Sequence, residues 1–139
     1  FAQSTELDRP TRLTSREVTV RVGAPTTHYF AFDVGPGDFT ILFAARLDGG
    51  IYSGGAISCD LYDGDLNKLS LYVKCPNFGI NTESQERTTI TAQQKGTVVL
   101  AVTVLTLAEA RTANARYRLR LGGAVNIDET AGPLALPGR

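Results

Sequence analysis

The chain has no methionine and no tryptophan, a single histidine and only two cysteines. One histidine, His28, falls short of the three or four ligands a zinc site needs, and two cysteines that pair with each other cannot make up the difference. No Gly-x-Ser-x-Gly elbow, phosphate-binding glycine loop or dinucleotide fingerprint occurs, so His28 has no recognisable nucleophile to serve. It is expected to be a strand residue, and the chain is expected not to be an enzyme. Net charge is also missing: 14 Lys and Arg balance 14 Asp and Glu. That balance removes any general attraction to nucleic acid or anionic lipid. The most apolar run, residues 98–107, contains Thr103 and Thr106 and is far shorter than the roughly 20 residues that span a bilayer. Helical periodicity is scarce as well.

What remains is short alternation broken by turn residues. The 139 residues suit one domain, large enough to bury about two-thirds of its unfolded surface. Val18, Val20 and Val22 alternate with Glu17, Thr19 and Arg21, the pattern of a half-buried strand. A second strand is expected over 28–34, with Phe30, Phe32 and Val34 on one face. After the turn Gly35-Pro36-Gly37-Asp38, a third over 39–47 places Phe39, Ile41, Phe43, Ala45 and Leu47 together. Residues 76–86 read as a loop and 87–92 as a short strand. The run 98–107 reads as a central strand buried on both faces. Residues 108–115 fit either a helical turn or a polar loop. In 116–121, Tyr117, Leu119 and Leu121 should face inward and Arg116, Arg118 and Arg120 outward.

Both cysteines lie in 56–76, which reads as two arms, 56–62 and 69–74, around the turn 63–68. Cys59 and Cys75 fall near the open end of that hairpin, where opposed Cα atoms come within disulfide range. Closing a loop of about 15 residues stabilises by roughly 3 kcal/mol in the chain-entropy description. A disulfide points to an oxidising compartment, and a chain opening Phe1-Ala2-Gln3 is what a processed, exported protein would show. The expected location is periplasmic, cell-surface or extracellular.

About eight strands without crossover helices imply an all-β fold, an antiparallel β-sandwich of jelly-roll or Greek-key type with one disulfide. The expected division is an N-terminal arm over 1–15, the sandwich over 16–122 and an extended tail over 123–139. Both ends are expected to be removable without loss of the fold.

The order of motifs resembles the bacterial pre-peptidase C-terminal domain. Phe30-Ala31-Phe32-Asp33-Val34-Gly35-Pro36-Gly37-Asp38 is similar to that family's opening strand and turn, and Cys59-Asp60-Leu61-Tyr62 to its Asp-Leu-Tyr strand. Gly96-Thr97-Val98-Val99-Leu100-Ala101-Val102 and Tyr117-Arg118-Leu119 resemble its last two strands. The resemblance implies a small non-catalytic sandwich that accompanies secreted bacterial enzymes and aids secretion, stability or attachment. Some members bind calcium or collagen. The cysteine pair is not a family hallmark.

Candidate binding residues fall into three groups. Asp63-x-Asp65-x-Asn67, with Asp60 beside it, starts like a calcium loop, but the glycine and glutamate positions of such a loop hold Lys68 and Lys74. A plain turn is the simpler account, and no cofactor is expected beyond calcium as a candidate at that turn. Arg116, Arg118 and Arg120 form a one-faced basic ladder, joined by Arg21 if the first and last strands pair. The ladder either docks an acidic partner or polysaccharide, or is a solvated face balanced by Glu17 or Glu109. Leu134 and Leu136, flanked by prolines, suit an extended segment laid into a partner's groove. The combined expectation is an accessory or structural binding subunit of a larger extracellular or membrane-attached assembly, with protein partners. A carbohydrate- or matrix-binding module of a secreted hydrolase is the alternative, with polysaccharide as its ligand. Neither nucleic acid nor a transmembrane segment is expected.

Overall fold

A computed structural model describes residues 9–22, 25–48, 57–69, 73–80, 82–105 and 114–127. Within them the chain is all-β and largely antiparallel. Its strands are β1 (Thr11–Arg12), β2 (Glu17–Val22), β3 (Thr26–Asp48), β4 (Ile57–Asp63), β5 (Gly79–Ile80), β6 (Ser84–Ala92), β7 (Gly96–Val104) and β8 (Asn114–Asn126).

The expected strands over 28–34 and 39–47 are one bent strand, β3. The bend at Gly35-Pro36-Gly37 does not reverse the chain. It shifts the alternation, so that even-numbered Phe30, Phe32 and Val34 and odd-numbered Phe39, Ile41, Phe43 and Leu47 are all buried. Gly35 and Gly37 both have positive φ, 84° and 121°, which a β-carbon disfavours. A Cβ on Gly35 would collide with the Gln94 carbonyl oxygen, so the bend also needs a bare backbone. Residues 93–95, between β6 and β7, are the matching bend in the neighbouring track. β7 pairs with the first half of β3 (Val34↔Gly96) and β6 with the second (Gly37↔Ala92), both antiparallel.

This bent ribbon makes two layers. The first half of β3 lies with β1, β7 and β4; the second half lies with β6, β8 and β2. Their inward residues form one cluster that includes Phe30, Phe32, Phe43, Leu100, Tyr117 and Leu119. Phe30 of one layer meets Tyr117 of the other edge-on at 6.4 Å, and Phe43 stacks on Tyr117 at 5.3 Å. The arrangement is consistent with the sandwich expected. β7 lies between β3 and β4, and Val98 through Val102 are buried on both faces, as its unbroken apolar sequence required.

Several boundaries differ from the sequence expectation. Thr11 and Arg12 join the sheet beside Phe30 and Ala31, and Leu13 is buried, so the last part of the N-terminal arm belongs to the fold. Arg12 is held there by an ion pair to Asp33 at 2.6 Å. β8 continues past Leu121 through Gly122-Gly123 to Asn126, and Val125 is buried. The loop expected over 76–86 contains β5 and the start of β6. Residues 1–8, the hairpin positions 70–72, most of 108–115 and the tail beyond Ile127, with Leu134 and Leu136, lie outside the described residues.

Candidate binding face on the arginine rows

β8 alternates as its sequence predicts. Ala115, Tyr117, Leu119 and Leu121 enter the core, while Arg116, Arg118 and Arg120 face out. Register places neighbours around each. Arg116 lies between Arg21 of β2 and Arg46 of β3, Arg118 between Thr19 and Ala44, and Arg120 between Glu17 and Leu42. The conditional pairing of first and last long strands is therefore met, and Arg21 joins the ladder. On the far side of Leu42, β6 adds Arg87. Arg46 and Arg87 had no distinguishing local signal in the sequence. Only the β3–β8 and β3–β6 registers bring them to this face.

The arginines are partly neutralised by carboxylates at the ends of neighbouring strands. The Arg46 Nε–H donates to Asp48 Oδ1 at 2.6 Å, and the Arg116 Nη1–H donates to Oδ2 of the same carboxylate at 3.0 Å. The bond from Arg46 and then that from Arg116 hold the Asp48 carboxyl below its usual range. Arg118 donates through Nη2 to Glu83 at 3.1 Å, and its Nε lies 3.6 Å from Glu17. These pairs are partly exposed, so solvent screens them and each contributes little. Glu17 thus balances part of the ladder, as one of the two alternatives required; Glu109 lies outside the described residues. The balance is incomplete. Arg21, Arg87 and Arg120 are exposed and have no ion pair among the described residues.

A depression of about 190 Å³ opens in this face. Ala44 forms its floor, because a methyl group stands where Arg46 and Arg118 rise around it. Thr19, Arg46, Glu83, Arg116 and Arg118 make the walls. Guanidinium groups present planar forks that match carboxylate and sulfate oxygens. The outward positions here carry no aromatic side chain among the described residues, so the face lacks the stacking platform that neutral sugars and nucleic-acid bases use.

The calcium candidates are spread over other tasks. Asp63 Oδ1 accepts the backbone N–H groups of Asp65 at 2.9 Å and Asn67 at 3.0 Å, which closes the turn. Asp60 faces Lys68 Nζ at 3.3 Å. No group of three His, Cys, Asp or Glu converges among the described residues. Cys59 and Cys75 form the disulfide, with Cα atoms 6.2 Å apart. Of the hairpin expected there, the described residues show the turn end, where Tyr62 bridges to Lys68 and the Leu69 N–H donates to the Leu61 carbonyl at 2.8 Å; residues 73 and 74 of the second arm lie in no strand, and β4 pairs with β7 instead. His28 is buried, and its Nδ1 shares a 2.7 Å hydrogen bond with the Tyr117 hydroxyl. Among the described residues no helix is long and apolar enough to cross a membrane. No protein-family model and no curated protein matches the chain.

Proposed function

We propose that this chain is a non-catalytic, exported binding domain, an accessory or structural subunit of a larger extracellular or membrane-attached assembly, and that it engages an acidic partner through the arginine rows of β8, β3 and β2. The observation that carries this is the depression over Ala44, walled by Arg46, Arg116 and Arg118. A chain with no net charge concentrates cations on one face here, while Asp48 and Glu83 already demonstrate the carboxylate geometry its guanidinium groups accept. Incoming carboxylates exchange with these weak internal pairs at little cost. The disulfide supports an oxidising compartment. The motif order similar to the pre-peptidase C-terminal domain supports an accessory role.

The alternative is a matrix-binding module, and the same face favours an acidic polysaccharide over a neutral one, since it offers charge without aromatic platforms. The test is capture by the tagged full chain from the envelope and secreted fractions of its source, run beside binding to polygalacturonate. Stoichiometric retention of a protein that Arg118→Glu abolishes supports the subunit. Polygalacturonate binding with the same sensitivity supports the module. Retention of neither, or retention unaffected by Arg118→Glu, overturns the proposal for this face.

A further inference from the structure

Beyond the arginine depression, β2 ends the sheet, pairing with β8 on one side and with no strand on the other among the described residues. The direction of its backbone groups follows from one hydrogen bond. Leu121 N–H donates to the Arg16 carbonyl at 2.7 Å, and these residues stand opposite each other in the register that sets Glu17 against Arg120. In an antiparallel ladder, bonded pairs alternate with non-bonded pairs. Arg16, Val18, Val20 and Val22 therefore turn their backbone groups to β8, and Glu17, Thr19 and Arg21 turn theirs to the open edge. The Glu17 N–H fits this assignment: it is met by the Ser15 hydroxyl at 3.3 Å and not by β8.

This edge has few of the devices that keep edges apart. It contains no proline, glycine or bulge, and no charge points inward. Its charges have opposite signs placed symmetrically about Thr19. If a second Glu17–Val22 strand is laid antiparallel with Thr19 opposite Thr19, Glu17 meets Arg21 of the other copy, and Val18 meets Val20 on the core side. The residues placed opposite in this register at 17, 19 and 21 are the same ones whose backbone groups face the edge, so each such pair exchanges both of its N–H···O bonds. A parallel arrangement would instead set like charge beside like.

Two further features are resolved by that partner. Arg21 is exposed, has no ion pair among the described residues, and lies directly across from Arg116, a repulsive cross-strand neighbour. Val18 is the one inward valine of β2 left partly exposed, at the rim of the core. From these observations we infer that β2 is a docking edge for a second copy of this chain, joined by antiparallel β2–β2 pairing about Thr19. The two-fold axis runs through the sheet, so the outer faces of both copies lie on the same side. The two arginine depressions then stand about three strand spacings apart, roughly 14 Å between the β8 strands, and face the same partner.

The test is sedimentation equilibrium of the full chain at low salt, up to millimolar subunit concentration. The wild type forms a concentration-dependent dimer. Glu17→Arg and Arg21→Glu, each alone, place like charges opposite and weaken the dimer at least tenfold. An equimolar mixture of the two variants restores it as a heterodimer, because one copy then carries arginine at both positions and the other glutamate. That rescue also shows both variants to be folded, as does a circular-dichroism melt matching the wild type. The inference is overturned by a wild type that stays monomeric throughout, by single reversals that dimerise as well as the wild type, or by a mixture that remains monomeric while the wild type dimerises.

Discussion

The Tyr117 hydroxyl and the His28 Nδ1 are joined by a 2.7 Å hydrogen bond in the core, tying β8 of one layer to the first half of β3 in the other. Both rings also pack against Phe30. Burial lowers the His28 pKa below its ordinary 6.5 and raises that of Tyr117, so each group is held neutral.

The sign of the resulting pH dependence is fixed. Below about 6.5 the unfolded chain binds a proton at His28 that the folded chain refuses, so stability falls as pH is lowered from there and levels off beneath the folded pKa. Asp33 acts lower. Burial opposes its ionisation, but the hydrogen bonds from Arg12 and Thr97, and the charges of Arg12 and Lys95, hold its carboxyl below 3.8. Its contribution is present above that value and is lost as pH drops further. Urea midpoints of wild type and His28→Gln followed from pH 7 down to about 2.5 separate the two, because His28→Gln loses the upper slope, below about 6.5, and keeps the lower, below about 3.8. Tyr117→Phe leaves the buried imidazole without its partner and costs about 1–3 kcal/mol.

Reduction of Cys59–Cys75, or Cys59→Ser with Cys75→Ser, frees a loop whose ends are 16 positions apart. The expected loss is about 3 kcal/mol, read from a lower denaturant midpoint, with a somewhat steeper slope because the unfolded chain without its cross-link exposes more surface. Thiol labelling of the unreduced, denatured chain finds no free cysteine.

Leu13→Ala lowers stability by about 2 kcal/mol, because the Leu13 side chain belongs to the core cluster; the backbone bond from its N–H to the Ala31 carbonyl at 3.0 Å is kept. Deleting residues 1–13 lowers the melting temperature further, since it also removes the Arg12–Asp33 pair at 2.6 Å. Deleting 1–8 alone leaves β1 and these contacts in place. Thermal melts of the three variants order accordingly.

Gly35→Ala costs about 2 kcal/mol or more. It adds a methyl at positive φ and places it against the Gln94 carbonyl oxygen. The expected readout is a lower melting temperature with wild-type circular dichroism below it.

Strands were legible wherever side chains alternate. Glu17–Val22 has the bounds its valines predict, and Tyr117, Leu119 and Leu121 of β8 face the core. The bend in β3 was hidden because Gly35-Pro36-Gly37 is also what a reversing turn looks like; which one forms depends on whether β6 and β7 run alongside. The last turns of β8 were hidden by Gly122-Gly123, which carry no side chain to show a face, although Val125 beyond them is buried. The arginine ladder was visible as a period of two, but its walls were not. Ala44, Arg46 and Glu83 come to Arg118 through register and loop closure, and local sequence does not encode either.

The central claim is that Arg46, Arg116 and Arg118 around Ala44 receive carboxylates of an acidic partner. Its most direct test is to follow the backbone amides and arginine Nε–H resonances of the full chain while a poly-glutamate peptide, and separately polygalacturonate, is added at low salt. The account predicts shifts concentrated on Thr19, Ala44, Arg46, Arg116 and Arg118. They should weaken with added salt and disappear in Arg116→Ala/Arg118→Ala, whose fold is preserved. Shifts that fall elsewhere on the molecule, or that persist unchanged in the double variant, would contradict it.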